Sequence, residues 1–367
     1  MRIINACVDK FPDFYAGKKV ICFGAGDTGK VICESFMEKG LVDAIDYFVD
    51  NDAAKWEKTI KVGDNDFTVC APDKLKKEDF ANKVLFITSR FWDQIVEQLE
   101  HIGLAQDVEC YVYMLFKLHA EVCKPESIRK AKMQLIPKKL HYCWFGKGNL
   151  PEFAVQCIDS WKKYCPDYEI IEWNEKTYNV YKNRFTKEVY EYGHYSALSS
   201  YARFDIIHQY GGIYLDTDVE VVRNLDDLLY QDAFMGFEVS NYVNSGHGFG
   251  GKKRNAIFAE NVEIYDNMTF YNEKGEFHYK NAPSITTEML IRHGLKMNGK
   301  LQQISDITIY PSDYFDPALQ IPTETCFSVH KYSSLWSFKG KDMQTVWQKQ
   351  REYYERLRQE GRIEERV

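Results

Sequence analysis

The chain has 367 residues, 45% of them hydrophobic, and a formal net charge of −7 at pH 7. This length predicts two domains or one large one, with enough apolar residues to build a core. The acidic balance gives a nucleic-acid partner no electrostatic support, and no stretch reaches the roughly 20 apolar residues that a membrane-spanning helix needs.

The ten cysteines are scattered along the chain without a Cys-x-x-Cys pair. The first residues also lack the apolar run of a secretion signal, so we expect reduced thiols rather than disulfides. A zinc site would need clustered ligands, which the sequence does not show. We therefore expect a cytoplasmic protein that makes at most peripheral contact with the inner face of the membrane.

The first part of the chain alternates between strand-like and helix-like segments. This alternation predicts an α/β fold that begins with a small domain, residues 1–125, whose parallel sheet is wound in the Rossmann manner. Strands are predicted at Lys19–Phe23, Ala44–Val49, Phe67–Cys70, Val84–Thr88 and Glu109–Val112.

A glycine-rich loop joins the first of these strands to a helix. The spacing Gly24-x-Gly26-x-x-Gly29 in this context is typical of a dinucleotide site, and Asp50, 21 residues after Gly29, would bind the ribose. The unit resembles the small Rossmann-like domains attached to bacterial sugar-modifying enzymes. Two alternatives remain: the glycines only permit a tight turn, or the loop serves an NAD(P)-dependent sugar-nucleotide oxidoreductase or epimerase.

A second α/β domain, residues 126–340, is predicted to follow a polar stretch interrupted by Pro125. Its helix at Tyr195–Gln209 places Asp205 among apolar side chains, where a carboxylate needs a partner or a ligand. Arg203 lies toward the opposite face, and its planar guanidinium suits a diphosphate. The apolar face of this helix is formed by Leu198, Tyr201, Ala202 and Ile206.

The most informative segment of the chain is an apolar run, Ile213–Leu215, followed at once by Asp216 and Asp218. Alternate side chains of an extended chain point the same way, so the two carboxylates converge and repel unless a cation lies between them. Oxygen ligands favour Mg²⁺ or Mn²⁺, ions that commonly carry a diphosphate. The alternative is a strand that ends in a solvated Asp-Thr-Asp turn.

The longer stretch Tyr201–Val222, YARFDIIHQYGGIYLDTDVEVV, resembles the core of the DxD sugar transferases of glycosyltransferase family 32. That family includes bacterial capsular and O-antigen enzymes and fungal mannosyltransferases. The resemblance runs from about Ile136 to Trp336. It implies a GT-A-type domain that uses Mn²⁺ or Mg²⁺ and a nucleotide-sugar, with a UDP-sugar favoured over a GDP-sugar. It also implies transfer with retention to a hydroxyl of a growing cell-surface polysaccharide or lipid-linked glycan.

The resemblance also suggests residues that contact the donor. His141 and Trp144 would pack on the base or ribose, although core packing is the favoured interpretation of His141 alone. Arg203 matches the family's donor-binding arginine. Ser200 stands where the family has an aspartate, and Asp205 is a candidate to replace that contact.

Three further assignments lie later in the chain. Glu238 is the carboxylate predicted to act as nucleophile or acceptor contact, and the glycine-rich stretch 244–251 suits a loop that approaches a sugar. His330 would join Asp216 and Asp218 as a ligand of the metal, and Trp336 would cap the donor. The departures at Ser200 and Leu335 also leave open a non-catalytic protein that binds nucleotide-sugars or glycans.

The last segment, residues 341–367, is predicted to be a separate charged helix. Its basic residues are matched by acidic ones, which favours a solvated or self-associating helix over a membrane anchor. Self-association would make the protein a homo-oligomer.

Overall fold

The structure is a computed structural model that describes residues 1–6, 8, 10–119, 130–146, 148–276, 278–332 and 343–366. Its helices and strands form a mixed α/β fold, as expected. The chain divides into two compact units. The first comprises Met1–Val122, Val239–Asn241 and Thr345–Val367, and the second comprises Cys123–Glu238 and Tyr242–Gln344.

The described residues include strands and helices throughout both units. The strands are β1 (Arg2–Ala6), β2 (Lys19–Phe23), β3 (Ile45–Val49), β4 (Thr59–Val62), β5 (Asn65–Cys70), β6 (Lys83–Ile87), β7 (Glu109–Val112), β8 (Lys139–Cys143), β9 (Glu169–Trp173), β10 (Gly212–Tyr214), β11 (Val219–Val221), β12 (Ala233–Phe237), β13 (Val243–Asn244), β14 (Phe249–Gly251), β15 (Gln302–Ile304), β16 (Ile307–Tyr310), β17 (Ser328–His330) and β18 (Ile363–Arg366). The α-helices are α1 (Phe11–Tyr15), α2 (Asp27–Glu34), α3 (Leu41–Ala44), α4 (Trp92–Ile102), α5 (Tyr113–Phe116), α6 (Glu152–Tyr164), α7 (Arg184–Tyr192), α8 (Tyr195–Tyr210), α9 (Ala256–Asp266), α10 (Ala282–Arg292) and α11 (Met343–Gln359).

The first unit is built on a sheet with the strand order β18-β1-β7-β6-β2-β3-β5-β4. Neighbouring strands are parallel except β4, which pairs antiparallel with β5. The five strands predicted from the sequence all lie in this sheet. Their apolar residues are buried on the sheet faces, as expected for strands covered on both sides.

The end of the chain differs from its prediction. Helix α11 and strand β18 belong to the first unit rather than forming a separate helix, and β18 pairs parallel with β1. Trp347, Tyr353, Tyr354 and Leu357 are all buried. At about 100° per residue these four side chains fall within about 120° of one another around the helix, so they make one apolar stripe, which packs into the unit, while the charged residues lie on the other faces.

The second unit contains a mixed sheet with the order β15-β16-β12-β14-β10-β8-β9. Strands β8, β9 and β10 are parallel, so the residues that follow them reach the same edge of the sheet. Helix α8, which precedes β10, is buried on more than its predicted apolar face. Ser200 and Arg203 are also buried, because α7 and α9 pack against the helix as well.

Two features of the described part concern its cysteines and its helices. The eight cysteines found there are all free and buried. No helix among the described residues is both long and apolar enough to cross a membrane.

The glycine-rich loop of the first unit is held by close backbone packing. Gly24 has φ +125°, a conformation that L side chains rarely adopt. At Gly29, an added Cβ would lie 1.9 Å from the carbonyl oxygen of Gly24. Gly26 is different, since the nearest atom to an added Cβ is the flexible Lys55 Nζ at 3.9 Å. Steric constraints therefore explain why Gly24 and Gly29 are glycines, but they do not explain Gly26.

We expect Gly29→Ala to lower the free energy of unfolding of the first unit by about 3 kcal/mol, because a backbone oxygen cannot move away as a side chain can. Gly26→Ala is the matched control and should cost about 1 kcal/mol at most. Hydrogen exchange of the β2 amides in increasing urea measures both values. Equal losses in the two variants would contradict the steric explanation.

Candidate functional site

The first aspartate of the DxD motif is fixed by neighbours from three parts of the second unit. Asp216 lies two residues after the end of β10, and its backbone N–H donates to the carbonyl of Gly246 at 3.0 Å. Its Oδ1 accepts from Arg203 Nη2 at 2.9 Å and from the Tyr214 hydroxyl at 3.0 Å. An added Cβ at Gly246 would lie 2.5 Å from Asp216 Oδ2, so the close approach of this carboxylate requires glycine there.

Strand pairing brings a histidine to the second aspartate. Strands β11 and β17 pair antiparallel with Val219 opposite His330, which places the imidazole next to Asp218. His330 Nε2 lies 3.2 Å from Asp218 Oδ1. Asp216, Asp218 and His330 can each offer one ligand atom, and these atoms all lie within 4.8 Å of one another. The three residues predicted to bind a metal therefore lie together, with two carboxylates and an imidazole, a donor set that suits Mn²⁺.

The protonation of these residues reflects their crowding. Burial lowers the pKa of His330, but the carboxylates of Asp218, Asp216 and Asp316 outweigh burial and raise it to about 9. Burial raises the pKa of Asp216, Arg203 opposes that shift, and repulsion from Asp218 adds to it. A positive charge, here the imidazolium, is therefore favoured where the carboxylates converge.

Arg203 is a buried cation beside the motif. Its Nε donates to the Ser199 carbonyl at 3.1 Å, its Nη1 to Ser245 Oγ at 3.3 Å, and its guanidinium lies 4.9 Å from the Tyr214 ring centroid. Burial opposes its charge, but the Asp216 carboxylate outweighs burial and raises the pKa of Arg203. The arginine predicted to contact the donor thus also orients the first ligand.

The segment that carries His330 is supported by residues that sequence reasoning missed. The Tyr332 ring lies 4.2 Å from the His330 ring, centroid to centroid, and its hydroxyl donates to Asp316 Oδ2 at 2.7 Å. Gln320 Nε2 donates to the His330 carbonyl at 2.9 Å. Leu319, Gln320 and Tyr332 have φ values of 52°, 55° and 48°, which are unusual for residues other than glycine. Such strain persists where the surrounding structure imposes it, and the sequence carries no signal for it.

His141 does not reach the site and is corrected to a core residue. Its side chain is 0% exposed. Its Nε2 lies 3.0 Å from the Gly211 carbonyl oxygen, and its Nδ1 accepts from Trp173 Nε1 at 3.1 Å. Burial lowers the pKa of His141 to about 4, so the neutral ring packs between strands and is not placed to contact a donor.

Asp205 is likewise corrected to a structural role. Its carboxylate accepts from the Tyr178 hydroxyl at 2.8 Å, from Lys182 Nζ at 2.6 Å and from Gln209 Nε2 at 2.7 Å. These partners compensate the buried charge within the fold. The oxygens are engaged, so Asp205 does not replace the contact that the family's aspartate makes where this chain has Ser200.

The other residues of the second unit that were predicted to contact the donor or the acceptor lie in different environments. Trp144 follows β8 at the same edge as the DxD motif and donates from Nε1 to the Gly148 carbonyl at 2.8 Å. Glu238 is buried and accepts from Asn244 Nδ2 at 3.1 Å. Within the stretch 244–251, residues 245–248 form a buried loop between β13 and β14, and its approach to a sugar stays a prediction. Trp336 lies outside the described residues.

The predicted nucleotide residues of the first unit interact with one another. Asp50 Oδ2 accepts from the Ala25 N–H at 2.7 Å and from Lys55 Nζ at 3.0 Å, and Oδ1 accepts from the Asp52 N–H at 2.8 Å. The carboxylate thereby fastens the loop that contains Gly24 and Gly26. A ribose contact for Asp50 stays a prediction.

Comparison with known proteins agrees with the geometry around the motif. Residues 151–235 match the family model described as a glycosyltransferase sugar-binding region containing a DXD motif. This region includes Arg203, Asp216 and Asp218.

Three relatives by sequence extend this similarity. A mannosyl phosphorylinositol ceramide synthase of Saccharomyces cerevisiae is 32% identical, over 58% of this chain and 56% of its own length. An inositol phosphoceramide mannosyltransferase of Schizosaccharomyces pombe is 32% identical, over 27% of this chain and 29% of its own. An uncharacterized glycosyltransferase of Acanthamoeba polyphaga mimivirus is 25% identical, over 55% of this chain and 84% of its own. The chain thus spans most of the viral protein but less than two thirds of either yeast protein.

Among solved structures, the PaToxG glycosyltransferase is similar with a TM-score of 0.34 and 18% identity, over 43% of this chain and 68% of that chain. A similarity this weak adds no argument. The family match shows that the chain contains a glycosyltransferase sugar-binding region with a DXD motif, and together with the sequence relatives it supports a transferase enzyme.

Proposed function

We propose that the second unit is a GT-A-type, metal-dependent transferase that moves a hexose from a nucleotide-sugar to an acceptor hydroxyl. The observation that carries this proposal is the convergence of Asp216, Asp218 and His330 within 4.8 Å of one another, beside the buried cation Arg203. A divalent cation held by these three residues would act as a Lewis acid toward the departing diphosphate.

The protein residues have separate tasks in this proposal. Asp216 and Asp218 would hold the cation, and Arg203 fixes Asp216 through their 2.9 Å contact. The fixed guanidinium adds positive potential near the departing diphosphate, where negative charge would develop. Its side chain need not move during the reaction. Asn244 donates to Glu238 and accepts from the Gly246 N–H at 2.7 Å, so Glu238 is linked to the loop against Asp216. Transfer with retention, with Glu238 as nucleophile or acceptor contact, belongs to this proposal.

The sugar and the acceptor follow from the relatives rather than from the geometry. Two yeast relatives are named mannosyltransferases of inositol phosphoceramide, which favours including GDP-mannose beside the predicted UDP-sugars. A lipid-linked or glycan acceptor is consistent with those names. Since the relatives are from yeasts and a virus, they do not support the bacterial capsular substrate implied by the sequence resemblance.

The cleanest test of the metal ligands is Asp218→Asn, because it leaves the pair of Arg203 and Asp216 intact. We expect the rate at which the donor releases its nucleotide, by hydrolysis or by transfer, to fall about 100-fold or more. This rate is measured with a panel of UDP- and GDP-sugars in the presence of Mn²⁺. EDTA should have the same effect on the unchanged protein.

Asp232→Asn is the matched control, because Asp232 forms a partly exposed ion pair with Lys252 in the same unit. It should release nucleotide at the unchanged rate. Turnover that survives both Asp218→Asn and EDTA would reject metal-dependent transfer.

Metal binding should also release a proton. With a pKa of about 9, His330 is protonated at pH 7.5 in the metal-free protein, whereas a metal ligand must be neutral. Calorimetry of Mn²⁺ binding in buffers of different ionisation enthalpy should therefore show about one proton released, and close to none for His330→Gln. A binding enthalpy that does not depend on the buffer would contradict this expectation.

The same pKa sets a pH dependence of stability. The pKa of His330 is raised above the ordinary value of about 6.5. Its ion pair with Asp218 therefore stabilises the metal-free protein fully below about pH 6.5. That stabilisation is lost as the pH rises through about 9. Unfolding followed over this pH range, with His330→Gln for comparison, measures the contribution.

A further inference from the structure

A run of tyrosines lies at the edge of the second unit's sheet. The Tyr181 and Tyr190 rings are 5.7 Å apart, centroid to centroid, and the Tyr190 and Tyr195 rings are 5.9 Å apart. Tyr181 is 56% exposed, while Tyr190 and Tyr195 are partly buried against the core. The run therefore has an exposed outer end and an anchored inner end.

The inner end of the run is fixed to the loop after β8. The Tyr195 ring lies so close to Gly146 that an added Cβ would be 2.6 Å from Tyr195 Cε2. Glu175 Oε1 accepts from the Gly146 N–H at 2.7 Å and from the Tyr190 hydroxyl at 3.5 Å. The rings are thus held in place by packing and by a carboxylate, unlike scattered surface tyrosines.

This run reaches toward the DxD motif. The loop that contains Gly146 follows β8, and Asp216 follows the neighbouring parallel strand β10, so both lie at the same edge of the sheet. Tyr195 begins helix α8, and Arg203 lies eight residues later on that helix, a rise of about 12 Å. A short glycan whose end lies at the motif could span that separation and reach the tyrosines.

We propose that Tyr181, Tyr190 and Tyr195, with Glu175, bind the sugar rings of a glycan acceptor. This inference rests on the proposed function, because it names the acceptor class of the same site. Tyrosine presents an apolar face on which the C–H face of a sugar ring can pack, and a hydroxyl that can bond to sugar hydroxyls. The carboxylate among the rings favours a hydroxyl-rich partner over an acyl chain, which would leave that charge poorly solvated.

The test measures glycan binding separately from donor turnover. Mannotriose, maltotriose and chitotriose serve as probes, and saturation-transfer NMR reports contact of their ring protons with the protein. We expect at least one trisaccharide to bind, and Tyr181→Ala to weaken that binding about tenfold through loss of the exposed ring. Tyr190→Phe, which keeps the ring and loses its hydroxyl, should weaken it less.

Tyr210→Ala is the matched control, because Tyr210 is 46% exposed and lies at the opposite end of α8. It should bind the same trisaccharide as tightly as the unchanged protein. Donor hydrolysis without acceptor should be the same for Tyr210→Ala and the unchanged protein.

Three results would overturn the proposal. One is binding that Tyr181→Ala leaves intact, another is the absence of binding for every trisaccharide, and the third is binding to phosphatidylcholine vesicles that is lost in Tyr181→Ala. Failure of the proposed function is distinguishable, because donor hydrolysis would then be absent from the unchanged protein whatever the trisaccharides do.

Discussion

The pair of the buried Arg203 and the partly buried Asp216 is the interaction on which the site depends. A guanidinium withdrawn from water is tolerated only beside an opposite charge, with its remaining donors satisfied. Asp216 supplies the charge, and Ser245 and the Ser199 carbonyl accept the other hydrogen bonds. Helix α8, the end of β10 and the loop at Gly246 are thereby tied together. The first carboxylate of the motif consequently has a fixed position whether or not a cation is bound.

The second constraint is the short pairing of β11 with β17. Asp218 directly precedes β11, and its partner His330 ends a strand that lies far along the chain. Gln320, which follows Leu319 in a strained segment, donates to the His330 carbonyl and helps to hold that strand in place. Asp216 and Asp218 are therefore neighbours because they are close in the sequence, whereas His330 joins them through tertiary structure.

This division explains how much of the site could be predicted from the sequence. The spacing of Asp216 and Asp218 after an apolar run is enough to predict that their carboxylates converge. The α/β alternation of the first unit is likewise enough to predict its parallel sheet. For His141 and Asp205 the sequence left both a ligand contact and core packing open, because a buried polar residue has the same sequence pattern whether it contacts a ligand or a neighbour. Their partners, Trp173 for His141 and Lys182 for Asp205, become evident only in three dimensions.

The C-terminal segment is another case in which the sequence did not reveal how the residues pack. Its high charge suggested a solvated helix, yet Tyr353, Tyr354 and Leu357 are buried in the first unit. An apolar stripe can be recognised from its spacing, but the sequence does not say which surface it covers. The tyrosines near Gly146 are a further case, since no local pattern links Tyr181, Tyr190 and Tyr195 before the chain folds.

The pairing of β18 with β1 has a consequence for synthesis on the ribosome. Strand β18, which covers one edge of the first sheet, is synthesised long after its partner β1. Until β18 has left the ribosome, the edge of β1 that it covers keeps open N–H and C=O groups. A nascent chain in this state offers other strands a template for mispairing. The sheet of the first unit therefore stays without this edge strand while all the residues between β1 and β18 are being synthesised.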